Sequence, residues 1–243
     1  MRSLLVVLVI GCALGVLRSA QADVPFASVE VLRPLFSQML GNPTLMRLDA
    51  VPDIYEGGYA RVSVYAEHAS IKGMLVDEMA IRLIGVSFDP AALREGRLKV
   101  LEVRDSGIYG RLRLSSVQEF LRQQGPVREV LLRRDGDVVI ATGLVDYNGV
   151  PTRVLMRGIF QVYGQPEIYF HIETLIVNHL PLPYALVDRL ERSMNPIVDF
   201  RSWPVSFKIR SLRSTADGFV LSSQTDYSQP CNDCGGPDIR LTP

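Results

Sequence analysis

A chain of 243 residues with 26 basic and 26 acidic side chains has no formal net charge. That balance argues against a nucleic-acid binder, which normally shows a basic excess, and against a purely electrostatic membrane binder. The length suits one large domain or two small ones.

The first residues suggest a compartment. Met1-Arg2-Ser3 is positive, Leu4 to Leu17 is almost wholly apolar, and Ala20-Gln21-Ala22 places small residues two apart. This pattern predicts a secretory signal over 1–22, cut after Ala22, and hence a periplasmic or extracellular protein. The apolar run falls short of the about 20 residues that favour a spanning helix. Two alternatives stay open: a lipoprotein site at Val9-Ile10-Gly11-Cys12, or an uncleaved anchor. Of the basic residues only Lys72, Lys99 and Lys208 are lysines. The arginine bias is equally consistent with genomic composition and with bidentate phosphate contacts.

Residues 26–40 read as an amphipathic helix through Val29, Leu32, Phe36 and Leu40, with Gly41-Asn42-Pro43 as its stop and Pro34 as a kink or true start. From Tyr59 to Ala66, Ala60, Val62, Val64 and Ala66 alternate with Arg61, Ser63 and Tyr65. Met79, Ile81 and Leu83 continue the alternation until Gly85 shifts its phase, as a bulge would. Further strands are expected over 98–103 and 108–114. A short helix follows to Gln124, with Ser116 and Glu119 spaced as a capping box.

The middle of the chain gives the clearest signal. Runs over 127–134, 138–145, 150–162 and 168–177 are separated by Asp135-Gly136, Asn148-Gly149 and Gly164-Gln165-Pro166. Tight turns between long strands predict an antiparallel meander. Val154, Met156, Phe160 and Val162 share one face of their strand, with Arg153, Arg157 and Gln161 on the other. Ile168, Phe170, Ile172 and Ile176 oppose Tyr169, His171 and Glu173. One face should be buried and the other should meet water. Tyr184 to Met194 is a further clear helix, with Leu186, Val187 and Leu190 apolar. Runs over 205–212 and 219–221 predict a closing hairpin around Asp217-Gly218.

Together these elements predict an α+β domain over 23–224: a long, curled antiparallel sheet wrapped around a few amphipathic helices. Residues 225–243 read as a polar tail. Its Cys231 and Cys234 form a disulfide candidate outside the cytosol, with metal or redox roles as the alternatives.

Catalytic motifs are lacking: there is no Gly-x-Ser-x-Gly, no His-Glu-x-x-His and no phosphate-binding glycine loop. His171 and Glu173 could form a pair, but they read as a solvated face. Asp49, Asp53 and Glu56 lack the spacing of a calcium loop. The apolar sheet face is the remaining candidate site. Alternation alone does not separate a filled core from a hollow, lipid-holding one.

A family resemblance bears on that choice. Gly58-Tyr59-Ala60-Arg61-Val62-Ser63-Val64, Ile81-Arg82-Leu83-Ile84-Gly85-Val86 and Gly107-Ile108-Tyr109-Gly110 are similar to successive blocks of one family. The strongest likeness runs from Leu180-Pro181-Leu182-Pro183 through Asn195-Pro196-Ile197-Val198-Asp199 and Trp203-Pro204-Val205 to Asp217-Gly218-Phe219. Over about 55–224 the chain resembles the LmeA-like phospholipid-binding family of bacterial envelope proteins. The resemblance implies phospholipid binding in the periplasm or cell envelope, a fold akin to tubular lipid-binding domains, no catalytic residues and no cofactor. On this reading Phe36, Val154, Met156, Phe160, Ile168, Phe170, Ile172, Leu186 and Leu190 line the lipid site. The alternative is a non-lipid accessory module of an envelope assembly with a fully packed core.

Overall fold

In the computed structural model, residues 29–71, 73–124, 127–147, 149–163 and 166–223 are described. The expected signal over 1–22 and the Cys231–Cys234 tail lie outside them.

Helix α1 (Val29–Met39) opens the described chain and carries Pro34 inside it. Its stripe is the one expected, with Leu32, Phe36 and the following Leu40 wholly buried. Strand β1 (Leu45–Pro52) pairs with β2 (Gly58–Ile71), which forms a long hairpin with β3 (Met74–Phe88). The phase shift at Gly85 is present and affects both strands. Pairing passes from Tyr59–Val86 to Arg61–Ile84, and Gly85 has a φ of +56°, a conformation glycine adopts without steric penalty. Tyr59 therefore points inward where Ala60 was expected, and Ala60 is exposed.

Helix α2 (Pro90–Arg94) had no counterpart in the sequence reading. The Asp89 carboxylate caps it by accepting from the Ala91 and Ala92 N–H groups, as orphan helix donors require. The two strands expected over 98–114 are one strand, β4 (Val100–Arg113). Helix α3 (Leu114–Gln124) begins earlier than the expected capping box. Ser116 instead sits within its first turn, 3.5 Å from the buried Asp77 carboxylate. That carboxylate also accepts the Arg113 N–H at 2.8 Å and lies 3.3 Å from Arg113 Nε, so the charge is compensated where it is buried.

The meander forms as read: β5 (Val127–Asp135), β6 (Val138–Tyr147), β7 (Val150–Val162) and β8 (Glu167–Val177) pair antiparallel in sequence order. A two-residue strand β9 (Leu180–Pro181) adds to β8 before helix α4 (Tyr184–Met194), and β10 (Val198–Asp199) returns to β8. The segment expected as a strand over 205–210 forms no strand, although the Arg210 N–H donates to the Ser222 carbonyl oxygen at 2.9 Å, and Val205, Phe207 and Ile209 are buried in alternation. The closing hairpin is shorter, β11 (Ser211–Ser214) and β12 (Gly218–Ser222).

The class is α+β with antiparallel strands, but the strands form two sheets, where the sequence reading drew one. The first runs β1-β2-β3-β4-β12-β11 and the second β10-β8-β7-β6-β5, with β9 beside β8. The split arises because β12 crosses back to pair with β4, setting Phe219 opposite Leu112. Each sheet has its own buried cluster. Phe36, Val62, Ile81, Leu83 and Phe207 belong to the first, and Leu132, Val139, Phe170, Ile172 and Val187 to the second. Val117 of α3, Phe160 of β7 and Leu212 of β11 pack against both.

Candidate functional site

The second sheet keeps the register read from its sequence. Ile168, Phe170 and Ile172 are buried, and Val154, Met156 and Phe160 are half-buried against the same cluster or its neighbour. Arg153 is exposed on the opposite face. The expectation fails at Ile176. Pairing steps from Arg157–Thr174 to Gly158–Ile172, leaving Glu173 as an extra residue in β8. One added residue reverses the side to which every later side chain points. Leu175 is buried in place of Ile176, at 5% exposure.

Gly158 is what lets the strands close here. A Cβ at this position would stand 2.3 Å from the His171 carbonyl oxygen and 2.6 Å from the Phe170 ring. The Phe170 ring lies over this gap and meets Phe160 edge-on at 5.0 Å, and Phe160 meets Phe219 of β12 edge-on at the same distance. These three rings form the seam between the sheets.

Two hollows flank the seam. The inner one is a slot of about 50 Å³ whose lining, including Met74, Leu112, Val117 and Ile168, is apolar throughout. The outer one is a cleft of about 420 Å³ between β7 and the β11–β12 hairpin, lined by Asp137, Ile159, Arg213 and Ser214. Phe160, Leu212 and Phe219 line both, so an apolar interior and a polar-rimmed mouth share one aromatic wall. The outer cleft is as large as ordinary small-molecule pockets, about 300–1,000 Å³. The inner slot is smaller than the about 150 Å³ cavity that accepts a benzene ring.

The expected lining residues divide among these features. Phe160 and Ile168 line the slot. Phe36 belongs to the first cluster; Val154, Met156, Phe170, Ile172 and Leu190 pack in the second. Leu186 does not turn inward: it is 45% exposed on the flank of α4 while Val187 fills the interior. The sequence reading missed Leu212 and Phe219 as wall residues and Arg213 and Ser214 at the rim. Their alternation marked a hairpin, but nothing local showed that this hairpin abuts β7.

The polar candidates resolve into structural roles. His171 pairs with Glu191 of α4, its Nδ1 3.2 Å from the carboxylate, and not with Glu173. Glu191 also accepts the Ile172 N–H at 3.0 Å. Asn195 accepts the Phe170 N–H and donates to the Phe170 carbonyl oxygen. Side chains from α4 and its C-terminal end thus satisfy part of the β8 edge that β9 and β10 leave open. Asp49 pairs with Arg61 at 2.9 Å and Glu56 with Arg94 at 2.8 Å. No group of three or more metal-ligating side chains occurs among the described residues. No described helix is long and apolar enough to cross a membrane.

Comparison of the chain with family models, curated proteins and solved structures finds no match.

Proposed function

We propose that this is an exported phospholipid-binding protein of the periplasm or cell envelope, related to the LmeA-like family, in which the two sheets curl about the seam as a tubular lipid-binding fold does. The observation that carries the reading is the shared wall of Phe160, Leu212 and Phe219 between a wholly apolar slot and a cleft with a polar rim. An amphiphile needs that pair of environments side by side. An acyl chain gains about 0.8 kcal/mol for each CH₂ removed from water, while a phosphate is held by Arg and hydroxyl donors, here Arg213 and Ser214. The slot, at about 50 Å³, is too small for a chain. Loading therefore requires the Phe160 and Phe219 rings to part, with the acyl chain entering from the outer cleft. No catalytic step is assigned.

The same small slot favours one other reading, a packed accessory module that binds a protein partner. Organic extraction and mass spectrometry of protein purified from its native host separate the two. Stoichiometric phospholipid supports the carrier. Lipid-free protein that also takes up no labelled phospholipid from vesicles supports the module.

A further inference from the structure

The outward face of the second sheet departs from the polar face expected of a sheet with one buried side. Cross-strand rows place Leu131, Thr142, Leu155 and Ile176 side by side, and Arg133, Ile140, Arg157 and Thr174 in the next row. Ile159 and Val138 follow in the row beyond. None of Leu131, Ile140, Leu155, Ile159 and Ile176 packs into a buried cluster; Ile140, Leu155, Ile159 and Ile176 are half-buried, and the β11–β12 hairpin and α4 reach only the end of the face, at Ile159 and His171. Leu131 is 42% exposed.

Three arginines share the face. Arg157 lies at its centre on β7, Arg133 beyond Ile140 on β5, and Arg153 on β7 about 13 Å along the strand from Arg157. Among the described residues no carboxylate pairs with any of them. Of the nearby acids, Asp135 shares the face in the row of Val138 and pairs with none of the three, Glu173 occupies the bulge, Glu191 holds His171, and Glu167 lies 3.1 Å from Arg201.

We propose that this face docks on the surface of an anionic phospholipid bilayer. The proposal rests on the lipid-binding reading and names the surface that such a protein uses to reach its ligand. Apolar side chains interspersed with unpaired cations suit an interface where hydrocarbon begins just below a layer of phosphates. A second copy of the chain fits less well. Four strands by about six residues give roughly 400 Å², about half of what each partner buries in a stable dimer. A two-fold contact would also set the central Arg157 against its own counterpart. Ile159 ties the face to function, because it lies on the face and also lines the outer cleft. Docking therefore brings the mouth of the cleft to the bilayer.

The test is sedimentation of the full chain with vesicles of phosphatidylcholine alone or mixed with phosphatidylglycerol. Binding is expected to the mixed vesicles only and to weaken as salt is raised. R133Q/R153Q/R157Q is expected to bind them about a hundredfold more weakly, since each basic residue at an anionic surface contributes a factor of roughly five. If the triple variant melts early, R153Q alone, at an exposed position, should show the roughly fivefold step. Equal binding to both vesicle types, or wild-type binding by the variants, overturns the proposal. So does a wild-type dimer in solution that Leu155→Ser converts to monomer. Lipid extraction from the same preparations keeps the two readings apart. Lipid retained by a variant that no longer binds vesicles supports both. Vesicle binding through these arginines by a protein that never holds lipid supports the docking face and sinks the interior site.

Discussion

The two sheets follow the same alternation of inward and outward residues, yet they differ on both faces. Inside the first sheet Val62, Val64, Ile81 and Leu83 are at most 1% exposed, because α1 and the extended segment through Phe207 and Ile209 lie in the same cluster. Inside the second, Val154, Met156 and Phe160 are only half-buried. Outside, the first sheet is laced by polar contacts: Arg111 to Glu78 at 3.2 Å, Arg61 to Asp49 at 2.9 Å, and the Tyr65 hydroxyl donating to Glu67 at 3.1 Å. The second sheet presents Leu131, Ile140 and Leu155 with arginines that no described carboxylate matches. The first sheet combines a tight core with an outer face crossed by ion pairs, although the buried Nε atoms of Arg61 and Arg111 lack a hydrogen-bond partner. In the second sheet Ile168, Phe170, Ile172 and Leu175 are buried while Val154, Met156 and Phe160 are not fully so, and Leu131 is exposed on its outer face.

The largest expected effect sharpens the difference between interiors. Phe36→Ala removes a wholly buried ring and should cost about 3–5 kcal/mol in urea unfolding. Met156→Ala, at a half-buried site in the second sheet, should cost less than about 2 kcal/mol, below the usual range for a buried methionine. Equal losses would erase the contrast in packing.

The next effect tests the first sheet's outer face through pH. Burial, then the hydrogen bond to Glu67 and the negative charges of Glu78 and Glu67, push the Tyr65 phenol up to about 12, opposed by Arg47. A raised phenol stabilises the fold fully below its ordinary value near pH 10, and the contribution is lost as pH rises through about 12. Unfolding free energy should therefore fall across that alkaline window by up to about 3 kcal/mol. The fall should shrink in Tyr65→Phe. An unchanged slope in that variant would show that this face is no more protected than the other.

The smallest effect is the most diagnostic. Met156→Trp adds bulk where the second sheet is slack, so its melting point should hold or rise while phospholipid uptake falls. Phe170→Trp, at a site only 4% exposed, should instead overpack and cost about 1–3 kcal/mol. If Met156→Trp is destabilised as much as Phe170→Trp, the second interior is as full as the first.

Much of this fold could be read locally. The strands of the meander, their turns and the span of α4 follow from residues within a few positions of one another. The inward set from Val154 to Ile172 follows from alternation that one register satisfies. Reading failed where two answers were locally equivalent. Leu175 and Ile176 are both apolar, and only the extra residue at Glu173 chooses between them. Leu186 and Val187 flank the same helical stripe, and the position of α4 against β8 decides which is buried. In β6 the sequence Val138-Val139-Ile140-Ala141 is apolar on both faces, so alternation carries no sign of which side lies open.

The sequence by itself therefore determined the α+β class, the antiparallel meander, its register up to the bulge and helix α4, because hydrogen-bond periodicity and turn chemistry are properties of neighbouring residues. Only the tertiary structure decided that the strands divide into two sheets and that Phe219 meets Phe160. Those outcomes rest on β12 pairing with β4, a contact between segments about a hundred residues apart, which the packing of the whole chain selects and no local pattern encodes.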